Sequence, residues 1–350
     1  MYTGVLAFFI ALLSSLMLTM PVRALALRVG MVDLPGPRKV HARPIPLLGG
    51  LAMYGGVLLA ILFAFDGPAR AQSAGIVTGA SLVAAVGFLD DRGWLHHQVK
   101  LFVGMPLAAC ILLASGIHAQ MFEAMVSRRA GYLLDAGLTL VWVVGVTASF
   151  SILDHMDGLC AGVAAMASFF FALLAYLDGQ TLVSTLAAAV LGAATGFLRW
   201  NFKPAKIFMG DGGAMFLGFL MATLGLKLRV SQANHLSAAL VPVLILGVAI
   251  FDTTLVSISR SRRGLLPFAA PGKDHVAHRL ANLGLGQRGA VVTLYLSGAG
   301  AGSLALLFAY LRTEAALAMT LVIGVLLMCA VVFLERAPYE KQIAKHTASV

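Results

Sequence analysis

RWNFKPAKIFMGDGGAMFLGF, residues 199–219, is the stretch on which the reading of this chain turns. Its first half is basic and aromatic, with Arg199, Trp200, Asn201, Lys203 and Lys206. Its second half launches an apolar run directly behind a turn made of Gly210, Asp211, Gly212 and Gly213. A carboxylate facing lipid costs about 2.5–3.5 kcal/mol at mid-bilayer even on a lenient insertion scale, so Asp211 is expected to face water or a cation. A glycine-rich helix start is a natural anion site, and a carboxylate beside it suits Mg2+. A plain helix cap made by Asp211 is the simpler alternative, and it is compatible with the first.

Outward from this stretch the chain is greasy. Of its 350 residues 60% are hydrophobic and only 11% charged, with mean hydropathy +0.91, which leaves too little polar surface to cover a soluble globule. Apolar runs of about 20 residues cross the hydrocarbon as helices. They fall near 3–21, 47–65, 72–89, 99–117, 132–153, 159–177, 181–198, 212–228, 236–257, 290–311 and 314–334. The expected fold is therefore an all-α polytopic membrane protein of about eleven transmembrane helices. Residues 1–335 read as one integral membrane domain and 336–350 as a short cytoplasmic tail. The first run lacks a basic start and a small-residue cleavage site, so it reads as an uncleaved span with its N-terminus outside. On that map nineteen of the 25 basic residues lie on the inner side and six on the outer, as the positive-inside bias requires.

Net charge +10 in a soluble domain would suggest nucleic acid, but membrane topology and anionic lipids account for it here, and no nucleic-acid partner is expected. Cys110, Cys160 and Cys329 have no metal or redox spacing and read as packing residues.

Five polar segments interrupt the apolar runs and hold seven of the fifteen acidic residues: Asp33, Asp90, Asp91, Asp154, Asp157, Asp211 and Asp274. All fall on the inner side of the map. In DLPGPRKVHARPIP, Arg38, Lys39, His41 and Arg43 crowd into a proline-stiffened loop beside Asp33; a lipid-headgroup cluster and a phosphate clamp are both open readings. Adjacent Asp90 and Asp91 either share a retained proton or are neutralised by a cation. Asp154 and Asp157 stand three apart, on one face if the segment is helical, with Ser149 and Ser151 nearby. In the longest inner loop His275 and His278 lie at i,i+3 spacing beside Lys273, Asp274 and Arg279, a polar hook for a sugar, a phosphate or a shared proton, and two histidines without a third ligand make a poor zinc site. Asp252, inside an apolar run, is expected to pair with an inner-side arginine such as Arg260.

In order and over nearly the whole chain, these segments resemble the polyprenyl-phosphate N-acetylhexosamine-1-phosphate transferases, the WecA/MraY-type superfamily of glycosyltransferase family 4. The resemblance implies transfer of an N-acetylhexosamine-1-phosphate, foremost GlcNAc-1-phosphate, from a UDP-N-acetylhexosamine to undecaprenyl phosphate with release of UMP, at the bacterial inner membrane. It implies Mg2+, with Mn2+ as a substitute ion, and leaves a homodimer open. By the same resemblance Asp90 and Asp91 engage the lipid phosphate, Asp211 and Asp91 hold metal, Asp154 and Asp157 line the donor pocket, and His275 and His278 contact the donor. Asp33, Arg38, Lys39, His41, Ser151, Asn201, Lys206 and Arg279 are further substrate-binding candidates. Departures from the family pattern fall at Ala148 and Ser151, where asparagines are usual, at Ala277, where a histidine is usual, and at His155, where a small residue is usual. Lack of a three-histidine run sets the chain apart from the phospho-MurNAc-pentapeptide branch. A secondary transporter of an anionic solute is the alternative from another class; transporters, however, place such residues near mid-bilayer, in related halves.

Overall fold

The computed structural model describes residues 2–35, 44–64, 68–123, 125–266 and 272–339. It is mostly helical. Helix α1 spans Tyr2–Arg28, and a two-residue ladder of β1 (Val32–Asp33) with β2 (Ile45–Pro46) closes the base of the first loop. There follow α2 (Gly49–Ala64), α3 (Pro68–Asp91), a short α4 (His97–Val99) that runs through a π turn into α5 (Met105–Ala114), and α6 (Arg128–Leu153). Next come α7 (Leu159–Leu177), α8 (Thr181–Asn201), α9 (Gly210–Lys227), α10 (His235–Ile245), α11 (Gly247–Ser261), α12 (Val276–Leu280), α13 (Gly286–Phe308) and α14 (Thr313–Arg336).

Each apolar run expected from the sequence meets a helix. Among the described residues seven helical stretches, α12 and α13 counted as one, are long and apolar enough to cross a membrane, or eight if the bent pair is one span. That pair corrects the reading of 236–257 as a single helix, because α10 and α11 meet at Leu246 with a bend of 77°. Pro242, which cannot donate a backbone hydrogen bond, lies one turn before the break.

Helix α9 is the axis of the fold. Fifteen of its residues are buried, and it packs against α2, α3, α6, α7 and α8. In a membrane, helices associate through close packing rather than through escape from water, so small residues mark the contacts. A side chain begun at Gly50 would lie 2.2 Å from the Gly213 Cα, and one begun at Gly87 would lie 2.5 Å from the Gly212 Cα. The amino ends of α2 and α9 and the carboxyl end of α3 thus meet backbone to backbone. At the periphery α14 buries only Ala316 and Leu334 and turns Leu321, Val325, Leu326 and Phe333 outward. Such a face belongs against lipid chains.

Candidate active site

The 203–209 segment is what gathers the scattered loops. The Phe208 N–H donates to the Pro46 carbonyl at 2.8 Å, and the Gly49 and Gly50 N–H groups donate back to the Phe208 and Met209 carbonyls at 2.9 Å each. These bonds fix the Pro46–Gly50 segment, and through the β1–β2 ladder Asp33, beside the Gly210 turn. Asn201 extends the weave: its carbonyl accepts from the Gly158 N–H and its amide donates to the Ile207 carbonyl, both at 3.0 Å. Both polar ends of this buried amide are therefore engaged within the protein, tying the 154–158 turn to the 203–209 segment. Asp157 lies across the same seam and accepts from the Ala205 N–H at 3.0 Å.

The start of α9 corrects one expectation. Asp211 does not cap its own helix, and the free amides there do not await a ligand. Asp91 takes them, with Oδ1 accepting from the Asp211 N–H at 2.8 Å and Oδ2 from the Gly212 N–H at 3.1 Å. A carboxylate at a helix N-terminus is favoured by the unsatisfied N–H groups and the positive end of the dipole. Gly210 makes room for it: its φ is +73°, and a Cβ there would sit 2.5 Å from Asp91 Oδ2. Adjacent residues on a helix diverge by about 100°, so Asp90 points elsewhere. It accepts from Lys100 Nζ at 2.7 Å.

Lys100 bridges two acids, since the same Nζ lies 2.5 Å from Asp211 Oδ2. The other Asp211 oxygen accepts from the Ser151 hydroxyl at 2.7 Å. Asp154, at the end of α6, keeps partial solvent contact although it is set deep among protein atoms. That depth, followed by the charges of Asp211, Asp91 and Asp157, pushes its carboxyl up to about 8. Asp90 and Asp211 on one ammonium, with Asp91 and Asp154 close to Asp211, form an oxygen-rich cluster, the donor set a hard divalent cation prefers. The residues present therefore fit Mg2+ or Mn2+.

A second constellation closes the site. His275 is buried and its Nδ1 lies 2.9 Å from Asp252 Oδ2, while the Val276 N–H donates to Asp252 Oδ1 at 2.7 Å. This overturns the expected Asp252–Arg260 pair. Arg260 instead makes two 2.9 Å hydrogen bonds to Asp274, and Arg263 adds a third at 2.7 Å. Burial alone would raise the Asp274 carboxyl, but the two arginines outweigh it and hold the group well below its usual range. His278 is only partly buried, and its ring centroid lies 5.0 Å from that of His155. His155 stacks on His275 at 4.1 Å. The 154–158 turn and the histidine loop are thus in contact.

Arg279 is at odds with its expected substrate contact. It is fully buried, and its guanidinium donates to the Asp274 and Leu334 carbonyls at 2.8 Å, to Glu335 at 2.6 Å and to the Ser259 hydroxyl at 3.0 Å. Its cationic face covers the Tyr339 ring at 3.9 Å. It is a strut of the histidine loop. Lys206 is exposed, with its ammonium 5.2 Å from the centre of the Trp200 ring. Arg38, Lys39 and His41 lie outside the described residues.

The sequence reading missed Lys100 as a site residue, because it follows Asp90 by ten positions across the turn at Gly93 and shares no helical face with it. It missed Tyr295 as well, whose hydroxyl donates to the Gly158 carbonyl at 2.6 Å and covers the 154–158 turn. Neither carries a local signal beyond a polar atom in or beside an apolar run.

Residues 73–229 match the glycosyl transferase family 4 profile. The chain is 36% identical over 296 residues to a Bacillus subtilis protein named as a probable undecaprenyl-phosphate N-acetylglucosaminyl 1-phosphate transferase, covering 84% of this chain and 82% of that one. It is 34% identical over 304 residues to a decaprenyl-phosphate N-acetylglucosaminephosphotransferase of Mycolicibacterium smegmatis, at 79% and 74% coverage. To an undecaprenyl-phosphate alpha-N-acetylglucosaminyl 1-phosphate transferase of Escherichia coli K12 it is 26% identical over 302 residues, at 82% and 79%.

Proposed function

The chain belongs to glycosyl transferase family 4, and from that premise we propose that it transfers GlcNAc-1-phosphate from UDP-GlcNAc to undecaprenyl phosphate, releasing UMP. It is a transferase. The names of its relatives favour this reading over the phospho-MurNAc-pentapeptide and transporter alternatives. The observation that carries it is the gathering of Asp90, Asp91 and Asp154 around Asp211, with Lys100 bridging Asp90 and Asp211 and Asp91 on the Asp211 and Gly212 amides, at the same end of the bundle as the histidine loop.

The reaction must bring two anions together. Unit charges 4 Å apart repel by about 4 kcal/mol at an effective dielectric of 20, and several such pairs arise between a lipid phosphate and a diphosphate. Asp211, Asp154 and Asp91 would hold Mg2+, or Mn2+ in its place, which when bound supplies charge neutralisation to the diphosphate oxygens. Asp90, which accepts from Lys100, is given the lipid phosphate, and Asp91, fixed by the Asp211 and Gly212 N–H groups, keeps the metal-facing role. A lipid phosphate oxygen attacks the phosphorus that bears the sugar, a new P–O bond forms, and the bond to the departing UMP breaks. His278, the half-exposed imidazole, contacts the donor, while Asp157 and Asp33 line the pocket. Arg38, Lys39, His41 and Lys206 are the cations this reading assigns to the substrate phosphates.

In this reading residues 1–335 form one transferase domain with about eleven membrane crossings, counting the shorter apolar helices, and 336–350 a cytoplasmic tail. The N-terminus is outside and the site opens to the cytoplasm at the bacterial inner membrane. The test is UMP release by the purified protein supplied with undecaprenyl phosphate and UDP-GlcNAc, with other UDP-sugars compared in parallel. Equimolar UMP and lipid-linked sugar phosphate are expected; UMP release independent of the lipid would sink direct transfer.

A further inference from the structure

His155 carries an unanswered polar atom. Its Nδ1 lies 3.1 Å from the Ile152 carbonyl, and a carbonyl only accepts, so the hydrogen sits on Nδ1 and the lone pair on Nε2. That Nε2 is buried with no hydrogen-bond partner. Leaving a buried acceptor unmatched costs about 1–3 kcal/mol. Around it stand His275 and Asp252, and one ligand atom from each of the three residues lies within 4.8 Å of the others.

We propose that His155, His275 and Asp252 bind a transition-metal ion of the zinc class, at a site distinct from the carboxylate cluster. Two imidazoles with one carboxylate suit Zn2+ or Co2+, whereas Mg2+ seeks oxygen donors and keeps its waters. The ion takes the place of the proton now shared between His275 Nδ1 and Asp252 Oδ2, and His155 Nε2 is the third ligand. Tetrahedral ligands at about 2.0–2.1 Å from zinc stand roughly 3.4 Å apart, so the widest separation must close by roughly 1.4 Å. His155 supplies that movement, because it sits on the turn between α6 and α7 rather than inside a helix. Asp252 is already held in place by the Val276 N–H. The ion would pin the 154–158 turn to the histidine loop, an effect on the shape of the site that does not depend on which sugar is transferred.

The test uses the full chain in detergent, purified without a histidine tag, and titrated with Co2+ as a spectroscopic probe, then with Zn2+ as competitor. One equivalent of Co2+ with an intense low-symmetry visible band, displaced by Zn2+, is expected. His155→Ala should weaken binding at least about tenfold, and Asp211→Asn should leave the band intact. His155→Gln, which preserves volume, replaces the alanine variant if that one elutes as aggregate. Absence of the band, a band undiminished in the His155 variants, or a band lost in Asp211→Asn would overturn the proposal. UMP release is measured separately, so failure of this site leaves the transfer reaction standing.

Discussion

Replacing Lys100 with methionine keeps the length of the side chain and removes its charge, which exposes Asp90 and Asp211 to each other. With Nζ–O distances of 2.7 and 2.5 Å, each contact corresponds to about 6 kcal/mol of attraction at an effective dielectric of 20. Most of that is offset by the desolvation of three charged groups. Removing one partner of a buried pair costs about 3–5 kcal/mol, and the residual solvent contact of these side chains brings the figure to about 2–4 kcal/mol. In a chain of this size roughly 2 °C of Tm accompanies each kcal/mol, so Lys100→Met should melt about 4–8 °C lower in detergent with EDTA. A divalent cation should then recover more stability in the variant than in the wild type, because the ion no longer competes with the ammonium for Asp211. The assay is thermal unfolding followed by size exclusion, with and without Mg2+. Equal Mg2+ stabilisation of the two proteins, or an unchanged Tm in EDTA, would refute the reasoning.

Asp211→Asn and Asp90→Asn should each lower transfer at least about a thousandfold while the protein still elutes as a folded monodisperse species; substantial activity in either removes the role given to that residue. Gly210→Ala forces a side chain into a left-handed backbone position and against Asp91, so a loss of about 1–2 kcal/mol or more is expected by thermal unfolding, with weaker Mg2+ stabilisation. The Asp274 carboxyl, depressed in the folded state, contributes stability that is complete above the ordinary aspartate pKa, about 4, and is lost as pH falls through the lower folded value. Wild-type Tm should therefore drop below about pH 4, whereas Asp274→Asn should be less stable at neutral pH and lack that component of the acid dependence.

Much of this was legible in the residues, for identifiable reasons. Helices such as α6, α7 and α8 announce themselves because lipid tolerates few polar atoms, and the glycines of 210–213 mark where backbones must meet. The acids at helix ends were legible for the same reason. Partner choice was not. Asp90 and Asp91 read as one motif, yet the helical turn sends one to Lys100 and the other to the α9 amides. Arg260 looked like the natural neighbour of Asp252, but the following loop folds back and delivers Asp274 to it, leaving Asp252 to His275. Arg279 read as a substrate-binding candidate, but it is buried against Leu334, Glu335 and Ser259. These pairings depend on how separate segments cross in space, which spacing along the chain does not encode.

The measurement that bears most directly on the account is sidedness of labelling. In a background with Cys110, Cys160 and Cys329 replaced, single cysteines at positions 33, 90, 157, 211 and 278 are exposed to a membrane-impermeant maleimide in spheroplasts and in inside-out vesicles. All five should label only in inside-out vesicles, with those nearest the carboxylates slowed by UDP-GlcNAc and Mg2+. Labelling of some from each face would contradict the single crevice on which the rest depends.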